Sequence, residues 1–296
     1  MSLPPANWDV YLDDACVLCL LFEEGEGDTA HDLSRFRNDG KLSGPTWVGT
    51  PFGRGLQFDG VDDTVYVEHS DSLMPTSQLS ICVLVRLRDT GTYQYIVDKF
   101  VGATNSGYIF GVDPEGRPHV ELGYGDGIYF KSANSPVTWG AWTFLALSFN
   151  ADTGDVVVFK NHERYDLPKL NKPLATNTKD LQISSRYFSK PVWGEVVFVY
   201  IFNRALTNGE MRALYQNYRY ALACYKLIGQ VVNPLISDTY ERVELIRKIQ
   251  TNRWKIENNQ LVIYDDDGVT PLKVFNLKDK YGNPSEVNVY EREPAE

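Results

Sequence analysis

Between residues 15 and 203 the chain is built from short apolar or alternating runs, each followed by Gly, Asp, Asn or Pro: ACVLCLLF, TVYVEH, LSICVLVRL, GYIFGV, HVELGY, WTFLALSF, DVVVFKN and EVVFVYIF. Runs this short cannot supply long amphipathic helices. Their regular spacing, with turn signals between them, is the pattern of an antiparallel sandwich. DPEGR at 113–117 and ADTGD at 151–155 each put a glycine where a hairpin needs a positive φ. The aromatic share of 13% points the same way, and 296 residues suffice to bury a sizeable core.

One helix closes this region. Thr207 and Glu210 have capping-box spacing, and Met211, Leu214, Tyr215 and Tyr218 recur at helical intervals. Residues 220–236 read as a linker. A second helix is expected from Asp238, with Val243, Leu245, Ile246 and Ile249 on a narrow apolar stripe. QLVIYDDDG and LKVFNLKD then read as two strands of a hairpin, which is marginal in water without a partner surface. The expected domains are therefore 1–219, a linker at 220–236, and 237–296 as an anchoring and oligomerisation tail.

Cys16 and Cys19 form a C-x-x-C inside an apolar run, and no second such pair follows at zinc-finger spacing. On a strand, residues three apart face opposite ways, so buried structural thiols are expected. A net charge of −10 argues against a nucleic-acid binder and against adhesion to anionic membranes. The first residues show no secretory leader and no run reaches membrane-spanning length, so neither export by a leader nor membrane insertion is expected.

Four segments in order resemble a laminin-G-like domain of the concanavalin A-like lectin/glucanase superfamily. They are CLLFEEGEGDTAHDLSRFRNDGKL, GRGLQFDGVDDTVYVEHSDSL, WGAWTFLALSFNADTGDVVVFKN and WGEVVFVYIFNRALTNGEMRALYQ. The resemblance implies an all-β, antiparallel jelly-roll β-sandwich, followed here by a short helix and a small β-hairpin tail. It also implies that Asp32, Ser34, Asn38 and Gly40 lie in a loop that often holds calcium in related domains, with Asp59, Asp62 and Asp63 of the next turn nearby. The alternative is that these acids serve only as turn formers. The end of the chain, YDDDGVTPLKVFNLKDKYGNPSEVNVYERE, is similar to C-terminal segments of tailed-bacteriophage virion proteins. That likeness implies synthesis in the host cytoplasm, residence in the virion, other virion proteins as partners and homo-oligomerisation.

Glycoside hydrolysis needs two carboxylates flanking a sugar. Glu195 is followed at even spacing by Val197 and Val199, where further acids would be required. His31, His69, His119 and His162 fall in unrelated loops or strand ends, and no nucleophile or phosphate-loop motif occurs. No enzyme is expected. For glycan binding, aromatic rings with polar neighbours point to Tyr124, Asp126 and Tyr129, and to Arg186, Tyr187 and Trp193, against the common role of such rings as core. For assembly the candidates are Val243, Ile246, Ile249, Val262 and Tyr264.

The stretch Asp265-Asp266-Asp267-Gly268 is not a calcium loop. With Gly268 as the EF-hand glycine, Ile263 and Val274 fall where carboxylates are required, which leaves a hairpin turn. The expected function is a non-enzymatic virion protein displaying a lectin-like domain to host-surface glycans, with structural calcium as the cofactor implied by the resemblance. The alternatives are a capsid or tail decoration protein without glycan binding, and a divergent glycanase.

Overall fold

The computed structural model describes residues 14–184, 190–216, 254–264, 271–278, 284 and 291–294. The chain divides into two compact units, one of Trp8–Leu222 and one of Ala223–Glu296 together with Met1–Asn7.

In the larger unit sixteen strands, β1–β16 in chain order, form two eight-stranded sheets. Sheet A contains β1 (Cys16–Leu20), β4 (Thr46–Thr50), β5 (Gly53–Asp59), β7 (Gln78–Leu87), β12 (Trp142–Asn150), β13 (Asp155–Lys160), β14 (Glu163–Leu167) and β16 (Trp193–Phe202). Its order is β14-β13-β12-β7-β16-β5-β4, with β1 also on β16. Sheet B contains β2 (Thr29–Ala30), β3 (Gly40–Ser43), β6 (Thr64–Val67), β8 (Gln94–Val101), β9 (Ser106–Val112), β10 (Pro118–Tyr124), β11 (Ile128–Ser132) and β15 (Leu181–Ile183). Its order is β11-β10-β9-β8-β15-β6-β3-β2. Every pairing is antiparallel, as the turn-punctuated sequence predicts. Gly116 and Gly154, in the two anticipated turns, adopt φ of +79° and +75°.

Alternation along each strand sends one set of side chains between the sheets. Val83, Val85, Leu145 and Leu147 of sheet A meet Tyr108, Phe110, Val120 and Leu122 of sheet B in the main core. The other face of sheet A carries a second apolar layer. Cys82, Leu84, Phe144, Phe198 and Tyr200 are covered there by Met211, Leu214 and Tyr215 of a helix, α1, at 208–216. Cys16, Cys19 and Cys82 are free, buried thiols. Cys16 and Cys19 do not face opposite ways, because the β1–β16 register shifts between Cys16 and Leu18. That irregularity turns both thiols into the second layer. Cys224 lies outside the described residues.

The loop after β1 is tied down by one side chain. Asp32 is fully buried. Its Oδ1 accepts from the Cys19 and Ser34 N–H groups at 2.8 and 2.9 Å, and its Oδ2 from the Ser34 hydroxyl and the Asn38 N–H at 2.6 and 2.7 Å. The Asn38 amide donates in turn to Val17 O and Ser72 Oγ. A carboxylate offers about four lone-pair sites, and all four face N–H or O–H donors. Asp32, Ser34 and Asn38 therefore form a hydrogen-bonded clamp, with the acceptor sites of the carboxylate turned to the chain's own donors.

In the smaller unit β17 (Trp254–Glu257), β18 (Gln260–Tyr264), β19 (Pro271–Lys278) and β20 (Glu291–Pro294) form an antiparallel sheet in chain order. The expected hairpin is β18 and β19. The β17–β18 turn, with Asn258 and Asn259 at φ of 52° and 59°, and the added β20 make it a four-stranded meander. Val262 and Ile263 are buried, so Val262 is taken up by the chain's own packing and is not an exposed assembly contact. Tyr264 ends β18. Val243, Ile246 and Ile249, with the expected second helix, the 220–236 linker and Asp265–Gly268, lie outside the described residues.

Two stability measurements follow. Replacing Asp32 by Ala strands four donors, three of them backbone amides, and each buried unsatisfied group costs about 1–3 kcal/mol. D32A should lose at least about 3 kcal/mol in urea unfolding; an unchanged midpoint and slope would refute the clamp. At α1, Glu210 accepts from the Thr207 N–H and hydroxyl at 2.7 and 2.8 Å, and Arg204 Nη2 lies 2.7 Å from its carboxylate. Arg204 chiefly, against partial burial and aided by Thr207, holds the Glu210 carboxyl at about 2. A lowered carboxyl pKa stabilises the fold above the ordinary value, 4.5, and the gain fades as pH falls toward about 2. Glu210→Gln should cost about 1 kcal/mol at neutral pH, with the gap to the parent protein closing between those two pH values.

Candidate functional site

Strands β8 to β11 of sheet B send one set of side chains to the core and the other to the outer face. On β10, Val120 and Leu122 enter the core, so His119 and Glu121 point outward. Register places Glu121 between Phe130 of β11 and Ile109 of β9, and His119 beside Ser132. On β8 the register with β9 shifts between Tyr95 and Val97. Ile96 and Val97 both enter the core, which leaves Tyr95 and Asp98 both on the outer face.

The result is an aromatic platform. The His119 ring lies 4.3 Å from Phe130 and 5.0 Å from Tyr93, edge to face in both cases, and is stacked at 6.3 Å with Tyr95. Phe130 is 47% exposed, so the platform is open to solvent. Beneath it runs a polar chain. The Tyr95 hydroxyl donates to Glu121 Oε1 at 2.5 Å, His119 Nε2 lies 3.2 Å from the same oxygen, and His119 Nδ1 lies 3.0 Å from Ser132 Oγ. Burial, then the Glu121 hydrogen bond, push the Tyr95 phenol far up, so it stays a donor. At the platform's edge the Asp113 carboxylate accepts from the Arg117 N–H and guanidinium at 2.9 and 2.7 Å. Burial opposes ionisation there, yet Ser132 and Arg117 together hold the Asp113 carboxyl below the usual range.

The residues singled out in the sequence are placed differently. Tyr129 points inward, and its hydroxyl donates to Pro168 O at 2.6 Å. It is a core residue, and its neighbour Phe130 is the exposed ring. Tyr124 and Asp126 do come together, around Lys172. The ammonium lies 4.6 Å from the Tyr124 ring centroid and 2.9 Å from the Asp126 carboxylate, so the two are occupied by a surface ion pair. Trp193 opens β16 on the other sheet, with the Arg88 guanidinium 5.4 Å from its ring. Arg186 and Tyr187 lie outside the described residues. Glu195 is gripped by Arg86 through contacts of 2.8 and 2.5 Å.

His119 lies at the start of β10, and there it is the ring on which Tyr93, Tyr95 and Phe130 pack. The readable signal was the H-x-E alternation opposite the inward Val120 and Leu122.

Asp59, Asp62 and Asp63 bring one carboxylate oxygen each within 4.8 Å of one another. Asp59 Oδ1 accepts from the Val61 N–H and Asp63 Oδ2 from the Asp59 N–H, both at 2.8 Å. The three carboxylates are of the donor type that a hard divalent ion takes, and two of them also serve the turn's own N–H groups. Trp193 pairs with Asp59 across the sheet. Elsewhere a groove of about 610 Å³ is lined by His69, Asp71, Asn177 and Lys179. Of its charges, Lys179 pairs with Asp98 at 2.8 Å, while buried Lys99 contacts His69 Nδ1 at 3.1 Å and donates to Lys179 O. Burial holds the Lys99 amine at about 8.

Comparison with known proteins agrees with this architecture. No curated protein matches the sequence. Among solved structures, the binding domain of Paraclostridial Mosquitocidal Protein 1 superposes with a TM-score of 0.57 at 17% identity, over 70% of this chain and 53% of that one. Domain 4 of AbnA, an extracellular GH43 arabinanase from Geobacillus stearothermophilus solved with arabinotriose, gives 0.55 at 15% identity, over 68% and 98%. The binding domain of botulinum neurotoxin DC, solved with rat synaptotagmin II, gives 0.54 at 17%, over 70% and 52%. The chain thus spans about half the length of these toxin domains, and at such identities the likeness is one of fold. Residues 59–212, just over half of the chain, match the family model of the concanavalin A-like lectin/glucanases superfamily, and the chain belongs to that superfamily.

Proposed function

We propose that this chain is a non-catalytic, glycan-binding protein of a phage-type virion, which meets host-surface sugars on the outer face of sheet B. The observation that carries the binding role is the exposed Phe130 ring with the half-buried Tyr93, both packed on the buried His119 beside Glu121. Flat rings cover the apolar face of a pyranose while polar groups beneath take its hydroxyls. A fold shared with an arabinotriose-binding domain supports this reading without fixing the ligand.

The absence of catalysis is supported by the acids themselves. Glu195 is held by Arg86. Asp98, in the same cross-strand row as Glu121, is fully buried, with its oxygens turned to the Phe100 N–H and the Lys179 ammonium. Asp98 is thus turned away from the sugar, and Asp113 and Glu115 at the platform's edge are engaged by Arg117. Residence in the virion, homo-oligomerisation and contact with other virion proteins through 237–296 are supported by the resemblance of the C-terminal segment. Among the described residues no helix is long and apolar enough to cross a membrane. Calcium, where bound, sits at Asp59, Asp62 and Asp63 and braces the turn beside Trp193.

Phe130→Ala should weaken glycan binding about tenfold or more, the worth of one stacked ring, with the melting temperature unchanged. Asp126→Ala should leave binding intact. Calorimetry on a sugar found by glycan array makes the comparison; equal affinity of F130A and the parent protein would refute the platform. Calcium at a hundred times its dissociation constant should add about 2.7 kcal/mol of stability, and Asp62→Asn should abolish the gain. A melting temperature indifferent to calcium and chelator removes the ion.

A further inference from the structure

Glu121 uses only one of its two oxygens within the protein. Both the Tyr95 hydroxyl and His119 Nε2 contact Oε1, and among the described residues Oε2 has no partner. The residue is 7% exposed, and its side chain is on the outer face beside Phe130. A carboxylate held in place through one oxygen keeps the other as an acceptor for a ligand on the platform.

The charges around it have one prevailing sign. Arg117 is shared between Asp113 and Glu115, at 2.7 and 2.8 Å. Burial first, and then Asp113, Glu121 and Glu115, push the Tyr93 phenol up, with Arg117 alone opposing. Among the described residues a further cation at the rim is Lys190, whose Nζ lies 5.6 Å from the Tyr93 ring centroid, so its charge is directed at a π-face.

Resting on the glycan reading of this platform, we infer that Glu121 is a specificity residue that selects uncharged sugars. Its free oxygen accepts a hydrogen bond from a ligand hydroxyl, a charge-assisted contact, and repels a sugar that presents a carboxylate. Loss of the ligand hydroxyl leaves that oxygen unpaired again, which sharpens the choice further.

The test is an array of matched oligosaccharides with and without a carboxylated unit, lactose and 3′-sialyllactose among them, followed by calorimetry on the full chain. The neutral member of each bound pair should bind at least about tenfold more tightly. Glu121→Gln keeps the volume and the contact to Tyr95 but turns the free oxygen into an N–H donor. It should weaken neutral binding about tenfold and bring the ratio within a pair close to one. Lys190→Ala should leave the ratio in place. Where E121Q does not fold, the parent protein still decides: repulsion is screened, so its preference must shrink as salt rises. Carboxylated sugars bound as tightly as neutral ones, a ratio untouched by E121Q, or a preference indifferent to salt each overturn this inference while leaving the platform standing. Binding of neither class overturns the glycan reading itself, and this inference with it.

Discussion

The pleat of the two sheets, with three local breaks in it, decides where every chemically useful side chain ends up. A regular strand sends residues two apart to one face, so any shift by one residue exchanges core for surface. Register shifts occur in β1 between Cys16 and Leu18, in β8 between Tyr95 and Val97, and in β16 between Val196 and Phe198. In each case two residues three apart come to share a face. Cys16 and Cys19 join the layer under α1; Tyr95 and Asp98 both leave the core; Val196 and Val199 both enter it. Without the shift in β8, the Tyr95 hydroxyl and Glu121 could not meet on the same surface.

That geometry explains why the platform suits binding. His119 is fully buried, fixed at both nitrogens and packed by rings on three sides. A surface held this way loses little conformational freedom when a ligand arrives, so more of each contact appears as affinity. The groove at His69 differs in kind, because its lining is polar and Lys179 is already committed to Asp98.

Much of the fold was legible because alternation and turn chemistry are local properties. The strands, the glycine turns and the Thr207–Glu210 capping box need only neighbours within a few residues. The site was less legible for two physical reasons. Bulges carry no fixed residue signature, so the faces of Cys19 and Tyr95 could not be assigned by counting. Choosing between adjacent aromatics also depends on parity: Tyr129 and Phe130 are equally good rings in IYF, and only the pairing of Tyr129 with the core separates them. The Asp32 loop depends on distant donors as well. Its residues match a ligand pattern, but the donors that face the carboxylate include the Cys19 N–H of β1, thirteen residues away, which local spacing does not show.

The same reasoning bears on the tail and on what this fold is used for. A two-stranded hairpin would have required a partner surface, whereas a four-stranded meander with buried Val262, Ile263, Phe275 and Leu277 has enough strands to persist without one. Strand count therefore gives no argument for docking, and the assembly reading stands on the resemblance of the segment and on 217–253. The catalytic question turns on carboxylate geometry. Hydrolysis needs a second acid turned toward the sugar across the scissile bond. Glu121 and Asp98 are two strands apart, about 10 Å at strand spacing, and a pair that distant could serve only if both faced the ligand. Lys179 and the Phe100 amide turn Asp98 away. On the open face Glu121 stands among rings, while the acids at the platform's edge, Asp113 and Glu115, are both engaged by Arg117.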